Sequence, residues 1–196
     1  MITFIRGKLV EKNPAYIVVD TAGGVGYLVH ISLNTYATLP EPNAEVRLLT
    51  HFVVKEDTQT LYGFHDETER SLFRLLISVN GIGPNTAVII LSALTPNELA
   101  EAVASENVSI IKAIKGIGPK TAQRLIIDLK DKVGKLQIST DKISYSNNNN
   151  KNEALTALVS LGFGKNQVEI VLNKIFKEEG SELSIEDLIK RALKLL

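Results

Sequence analysis

One short phrase occurs twice in this chain: Gly81-Ile82-Gly83-Pro84 followed by Thr86-Ala87, and Gly116-Ile117-Gly118-Pro119 followed by Thr121-Ala122. Each copy lies between apolar stretches of helical period. An offset of 35 aligns residues 75–94 with 110–129 and places Leu94 on Leu129. A repeat of that length is a helix–turn–helix unit used twice, and it constrains the middle of the fold before any other feature does.

Two glycines one residue apart allow a sharp turn and let backbone N–H groups approach a bulky anion, because no Cβ intervenes. Proline suits the first helical position, where its missing N–H has no partner to lose, so a helix is predicted to start at each Pro. Helix starts present unpaired N–H groups and the positive end of the macrodipole, a fit for a phosphate oxygen. In the second copy Lys120 and Arg124, at i and i+4, add charge beside that end. In the first copy the equivalent of Lys120 is Asn85, a donor without charge, so the second turn is expected to grip harder. One such turn is as well explained by helix packing; two with equal spacing and a basic flank point to phosphate binding. Such contacts hold the sugar–phosphate chain and read no bases. The candidate contact residues are Gly81, Gly83, Asn85, Gly116, Gly118, Lys120, Thr121 and Arg124.

The 196 residues carry zero net charge, which is unusual for a nucleic-acid binder and requires the attraction to be local. Several subunits acting together would offset weak single contacts. No cysteine is present, so disulfides and thiolate metal sites are excluded, and no metal or cofactor is expected. The longest apolar run, around Ala87 to Leu94, is far short of the ~20 residues a membrane span needs. With no signal-peptide pattern at Met1–Gly7, a cytoplasmic protein is expected.

Four regions follow from the patterning, in an α+β multidomain chain. Residues 1–64 read as five short strands, 2–10, 15–21, 25–32, 45–54 and 59–62, with turn signals between them, which suggests a small β-barrel. The Ala22–Gly26 stretch joins two strands and is read as a hairpin turn. Residues 65–133 are helical, with segments predicted at 67–78, 85–94, 96–105, 108–114 and 120–132; Thr95, Pro96 and Glu98 form a capping box. Residues 134–151, ending in an asparagine run, read as a flexible linker. Residues 152–196 read as three helices: one capped by Asn152, a turn at Gly162-Phe163-Gly164, then 166–177, then a helix capped by Ser184 with Asp187. A small module on a tether suits gripping a partner, with Leu161 and Phe163 as candidates for that surface.

Glu56 and Asp57 stand side by side at the predicted tip between the last two strands. Acidic tips are usually solvated turns. Beside a basic clamp such a tip would repel phosphates, and so part strands rather than hold them. A two-metal nuclease site is disfavoured, since adjacent carboxylates on an extended tip diverge and no further ligands lie near.

Taken together, these residues resemble the RuvA family, bacterial subunits that bind Holliday junctions in the branch-migration machine. The match spans the chain: Gly24-Val25-Gly26-Tyr27 with His30, His51–Asp57 leading to Leu61-Tyr62-Gly63-Phe64, the hairpins from Asn80 and Gly116, and Leu161-Gly162-Phe163. The resemblance implies an N-terminal OB-fold barrel, a central domain of two helix–hairpin–helix motifs, and a C-terminal three-helix bundle similar to ubiquitin-associated domains. It also implies binding of four-way junction DNA by a homotetramer, or an octamer on DNA. As partners it implies RuvB, a hexameric ATPase engaged by the tail, and allows the RuvC resolvase. Glu56 and Asp57 fall on the family's acidic pin, and Lys120 and Arg124 on its phosphate-binding positions. Two departures stand out: Asn85 where the family often has lysine, and Pro119 where it has a basic residue. The chain is then a non-catalytic subunit, consistent with its lack of a Walker A sequence. A helix–hairpin–helix glycosylase or nuclease and a nonspecific duplex binder are the alternatives. For the first, Asp128 lies only eight residues past Lys120 and reads better as a surface ion-pair partner.

Overall fold

The computed structural model describes residues 1–133, 148–179 and 183–196. Two compact units divide the chain: the first holds a barrel and the helices that follow it, the second the C-terminal helices.

In the first unit, β1 (Phe4–Lys12), β2 (Tyr16–Asp20), β3 (Gly26–Ile31), a short helix α1 (Leu33–Thr38), β4 (Glu45–Val54) and β5 (Gln59–Phe64) follow in order. The strands close into a barrel ordered β1-β2-β3-β5-β4, antiparallel except for the β3–β5 pair. Alternation builds its interior: Ile5, Leu9, Ile17, Val19, Val29, Ile31, Val46, Leu48 and Leu61 are buried together, while Phe4, Arg6 and Lys8 face outward. β1 serves two neighbours, pairing with β4 through Phe4–Lys8 and with β2 through Lys8–Lys12; an irregularity between Leu9 and Glu11 marks the bend.

Five helices continue the unit: α2 (Glu67–Ile77), α3 (Pro84–Ala93), α4 (Pro96–Ala104), α5 (Val108–Lys112) and α6 (Pro119–Val133). The capping box at α4 is present, with the Glu98 N–H donating to Thr95 Oγ1 at 3.3 Å and the Thr95 N–H to Glu98 Oε2 at 2.8 Å. The repeat supplies the core twice over. Leu76, Val79, Ile82, Ala87, Ile90 and Leu91 are buried, and so, 35 positions on, are Ile111, Ile114, Ile117, Ala122, Leu125 and Ile126. Tyr62 and Phe64 of β5 join this cluster, whereas Leu61 belongs to the barrel. β5 is thus covered on both faces, and the barrel and helices share a seam.

The helix α1 departs from the sequence reading, which has only strand and turn there. Its six residues show no usable period and are mostly weak helix formers. It exists because distant groups need it: Asn34 Nδ2 donates to the carbonyls of Leu91 (2.6 Å) and Leu94 (3.0 Å), capping the end of α3, and the Leu33 N–H donates to Ser92 Oγ (3.0 Å). Two charges are also buried at the seam. Arg70 donates to the carbonyl of Thr3 (2.9 Å) and pairs with Glu67. Glu69 accepts hydrogen bonds from Ser32 and from Thr35 Oγ1 (2.5 Å).

Burial raises the Glu69 pKa above its ordinary value, outweighing those two hydroxyl donors. A raised carboxyl pKa contributes stability that is full below the unfolded value and is lost as pH rises through the folded one. Glu69→Gln is therefore expected to melt a few degrees above the parent at pH 8, with the gain shrinking toward pH 5; roughly 2–4 °C corresponds to each kcal/mol in a chain this size. Melting curves across that range test it, and a constant difference refutes it.

The second unit packs α7 (Asn148–Ser160), α8 (Lys165–Glu179) and α9 (Ile185–Leu195) around Ala154, Leu158, Val168, Leu172, Ile175, Leu188 and Ala192. The expected linker lies outside the described residues over 134–147. Its last four residues are helical, because α7 starts at Asn148 and not after Asn152. Asn150 Nδ2 donates to the Leu183 carbonyl (3.2 Å) and Lys151 Nζ lies over the Phe176 ring, 5.8 Å from its centre, so that first turn is held by a residue of α8 and by one just before α9. The turn after α7 has Gly162 at φ +101, with the Gly162 N–H bonded to Val159 O and the Phe163 N–H to Leu158 O. This is a Schellman stop. Among the described residues no single helix is long and apolar enough to cross a membrane.

Candidate nucleic-acid interface

The two hairpins repeat at the level of single hydrogen bonds. The Ile82 N–H donates to Val79 O and the Ile117 N–H to Ile114 O, both at 3.1 Å; the Ala87 N–H donates to Gly83 O and the Ala122 N–H to Gly118 O, both at 2.9 Å. Gly81 and Gly116 take φ of +93° and +91°, conformations that side-chain-bearing residues rarely adopt. Val79 and Ile82, like Ile114 and Ile117, turn their side chains into the core. Inward plugs leave the backbone of each turn facing out.

The second glycine of each phrase has another reason. Gly83 is the N-cap of α3 at φ −86° and ψ 169°, and it offers no side chain to the helix start. A Cβ built on Gly83 or Gly118 would meet nothing within 4 Å. The fold itself therefore does not demand glycine there, whereas a ligand approaching the helix start would. This gives a paired prediction. Gly83→Ser is expected to stabilise α3 slightly, by a few tenths of a kcal/mol, since serine can cap the free donors. The same change should weaken nucleic-acid binding by occupying them. Gly81→Ala should instead cost about 1–3 kcal/mol through its positive φ. Melting temperature and junction affinity measured on both variants check this; a Gly83→Ser protein that binds unchanged would show that those donors meet no phosphate.

The hairpins lie side by side: a Cβ on Gly81 would stand 3.9 Å from the Thr121 side chain. Lys120 is exposed in the first turn of α6 and appears in none of the ion pairs among the described residues. Arg124 is exposed too, but its Nε lies 3.7 Å from Asp128 Oδ2, so its charge is shared before any ligand arrives. Asp128 is thus the surface partner that the sequence reading expects. Two cations were missed by that reading. Lys112 and Lys115 are exposed beside the second hairpin, and Lys115 immediately precedes Gly116. Their counterparts in the first copy are Ile77 and Asn80, and that of Arg124 is Ile89. The first hairpin has no cation at any of these places.

Glu56 and Asp57 are exposed at the tip of the β4–β5 hairpin, closed by the Lys55 N–H to Thr58 O at 2.8 Å. The tip and the first hairpin border one groove of about 430 Å³, lined by Lys55, Asp57, Thr58 and Thr60 on one side and by Gly83, Asn85 and Thr86 on the other. Asn85 does not stand alone there, for the Tyr62 hydroxyl donates to its Oδ1 at 2.8 Å. In the C-terminal unit the two tail candidates separate. Leu161 is 63% exposed, while Phe163 packs against the three-helix core, as the residue after a Schellman glycine commonly does. Ile170 of α8 is 69% exposed, and nothing in the helical pattern around it marks it in the sequence.

Comparison with known proteins covers nearly the whole chain. The model of the RuvA N-terminal domain matches residues 1–63, that of a SAM-like helix-hairpin-helix tandem residues 73–131, and that of the RuvA C-terminal domain residues 149–196. The chain is similar to the proteins named Holliday junction branch migration complex subunit RuvA from Christiangramia forsetii, 50% identical over 196 residues, and Flavobacterium psychrophilum, 50% identical over 197; each alignment covers 100% of both proteins. The protein of that name from Coxiella burnetii is 41% identical over 198 residues, covering 99% of this chain and 97% of the relative.

Proposed function

This chain belongs to the RuvA family, and from that membership we propose that it binds four-way DNA junctions, holds their arms open and serves branch migration in recombination and repair. One observation carries the reading: two hairpins with matching hydrogen bonds stand side by side, and each starts its helix behind an exposed glycine that has no side chain to cap it. Neighbouring helix starts of this kind suit successive phosphates of one duplex arm. The acidic tip borders the same groove, so phosphates gripped by the hairpins lie close to carboxylates that repel them.

Four copies would set eight hairpins around a crossover with four acidic tips at its centre, which turns weak neutral subunits into a tight clamp. The C-terminal unit recruits the hexameric ATPase RuvB, with exposed Leu161 in the contact, and RuvC has access to the same junction. ATP hydrolysis belongs to the motor, and this chain is its non-catalytic, cytoplasmic DNA-binding subunit. The working division is 1–64 for the barrel, 65–133 for the hairpin domain, 134–151 for the tether and 152–196 for the motor-binding bundle.

Light scattering with and without a synthetic four-way junction tests assembly and ligand together, with linear duplex of equal length as competitor. The expected result is a tetramer-sized or larger complex that the duplex displaces poorly. Equal competition by duplex would favour a nonspecific binder, and strand cleavage or base release would favour a helix–hairpin–helix enzyme.

A further inference from the structure

We infer that Tyr62 is a positioning residue of the first hairpin: its hydroxyl holds the Asn85 amide so that the NH2 group faces the DNA backbone. The inference rests on the clamp reading above and names how its weaker half works. By the internal repeat Asn85 occupies the place of Lys120, in the first turn of its helix. A lysine ammonium has only donors and serves a phosphate however it turns. An amide carries an acceptor on one side and donors on the other, so its orientation decides whether it attracts or repels a phosphate oxygen.

The structure contains a device that makes this choice. Tyr62 is 4% exposed, its ring packed 5.1 Å from Phe73 and 5.7 Å from His30, so little freedom remains for its hydroxyl. That hydroxyl donates to Asn85 Oδ1, which occupies the acceptor and leaves the two N–H groups for the other side of an exposed residue bordering the groove. A barrel strand thereby sets the polarity of a residue on α3. Because the contact is neutral it releases no counterion, and its share of the affinity is insensitive to salt, unlike that of Lys120.

The test uses the full chain, a fluorescent synthetic four-way junction and a potassium chloride series. Tyr62→Phe and Asn85→Ala are each expected to weaken binding about threefold, the scale of one neutral hydrogen bond, with unchanged salt slope. The double variant should bind like Asn85→Ala alone. A merely structural Tyr62 would instead lose affinity to the same extent in both backgrounds, and that result overturns the inference, as does unaltered binding by Tyr62→Phe. If Tyr62→Phe melts below the assay temperature, Asn85→Gln decides: it keeps a neutral amide but carries it one methylene past the Tyr62 hydroxyl, so it must bind as weakly as Asn85→Ala, and parental affinity overturns the inference. Lys120→Ala separates the two levels. If it changes neither affinity nor salt slope, the clamp reading itself falls; if it changes both while Tyr62→Phe is silent, only the role of Tyr62 falls.

Discussion

Lys115→Ala combined with Lys120→Ala is expected to weaken junction binding by about a hundredfold or more at moderate salt, and to reduce the salt slope by roughly 0.9 for each phosphate contact removed. Both side chains are exposed, and alanine is the best helix former at position 120, so the melting temperature should hardly move. The size of the effect follows from how little other charge there is. The chain is neutral overall, the first hairpin has no cation at the repeat-equivalent positions, and Arg124 already shares its charge with Asp128. A protein with a broad basic face could lose two lysines and keep its grip; on the proposed reading this one relies chiefly on the second hairpin. Affinity measured over a salt series decides the matter. A large loss with an unchanged slope would mean that the lysines act through folding or assembly and not through phosphates. Asp128→Asn gives the complementary check, since freeing Arg124 should tighten binding modestly and steepen the slope.

The parts legible in the sequence are those whose cause is local. The sharp glycine turns, the prolines at the first helical position, the Thr95–Glu98 box and the Ser184 cap each involve residues within a few positions of one another, and each stands where the spacing predicts. The five strands were legible because alternation records which side chains enter the barrel. What escaped is long-range. Helix α1 is stabilised by carbonyls about 60 positions away, and the asparagines at 148–150 are helical because the bundle behind them continues the helix. The buried Glu69, Arg70 and the Tyr62–Asn85 bond all span the seam between barrel and helices, where no pattern in either segment announces the other. Lys115 is a different case. It is local to the repeat, opposite Asn80, but it precedes the glycines and so lies outside the helix start on which the phosphate argument rests.

The seam also bears on the proposed action of the acidic tip on DNA. A charged hairpin that swung freely would repel phosphates only on average, whereas the β4–β5 tip is held to the first hairpin through β5, whose Tyr62 and Phe64 lie within 5.1 Å and 4.9 Å of the Phe73 ring. Glu56→Lys with Asp57→Asn changes the charge of each tip by three units while touching only exposed side chains. Junction affinity is expected to stay the same or rise, because repulsion at short range is replaced by attraction. The opening of the crossover should suffer. With 2-aminopurine placed beside the branch point, fluorescence in the parent complex should exceed that of the free junction by several-fold, and in the variant complex it should fall back toward the free value. Branch migration with the motor should change in rate as a consequence. Lost affinity with a lowered melting temperature would reduce the tip to a structural turn, and undiminished fluorescence in a tightly bound variant complex would show that the hairpins alone keep the strands apart.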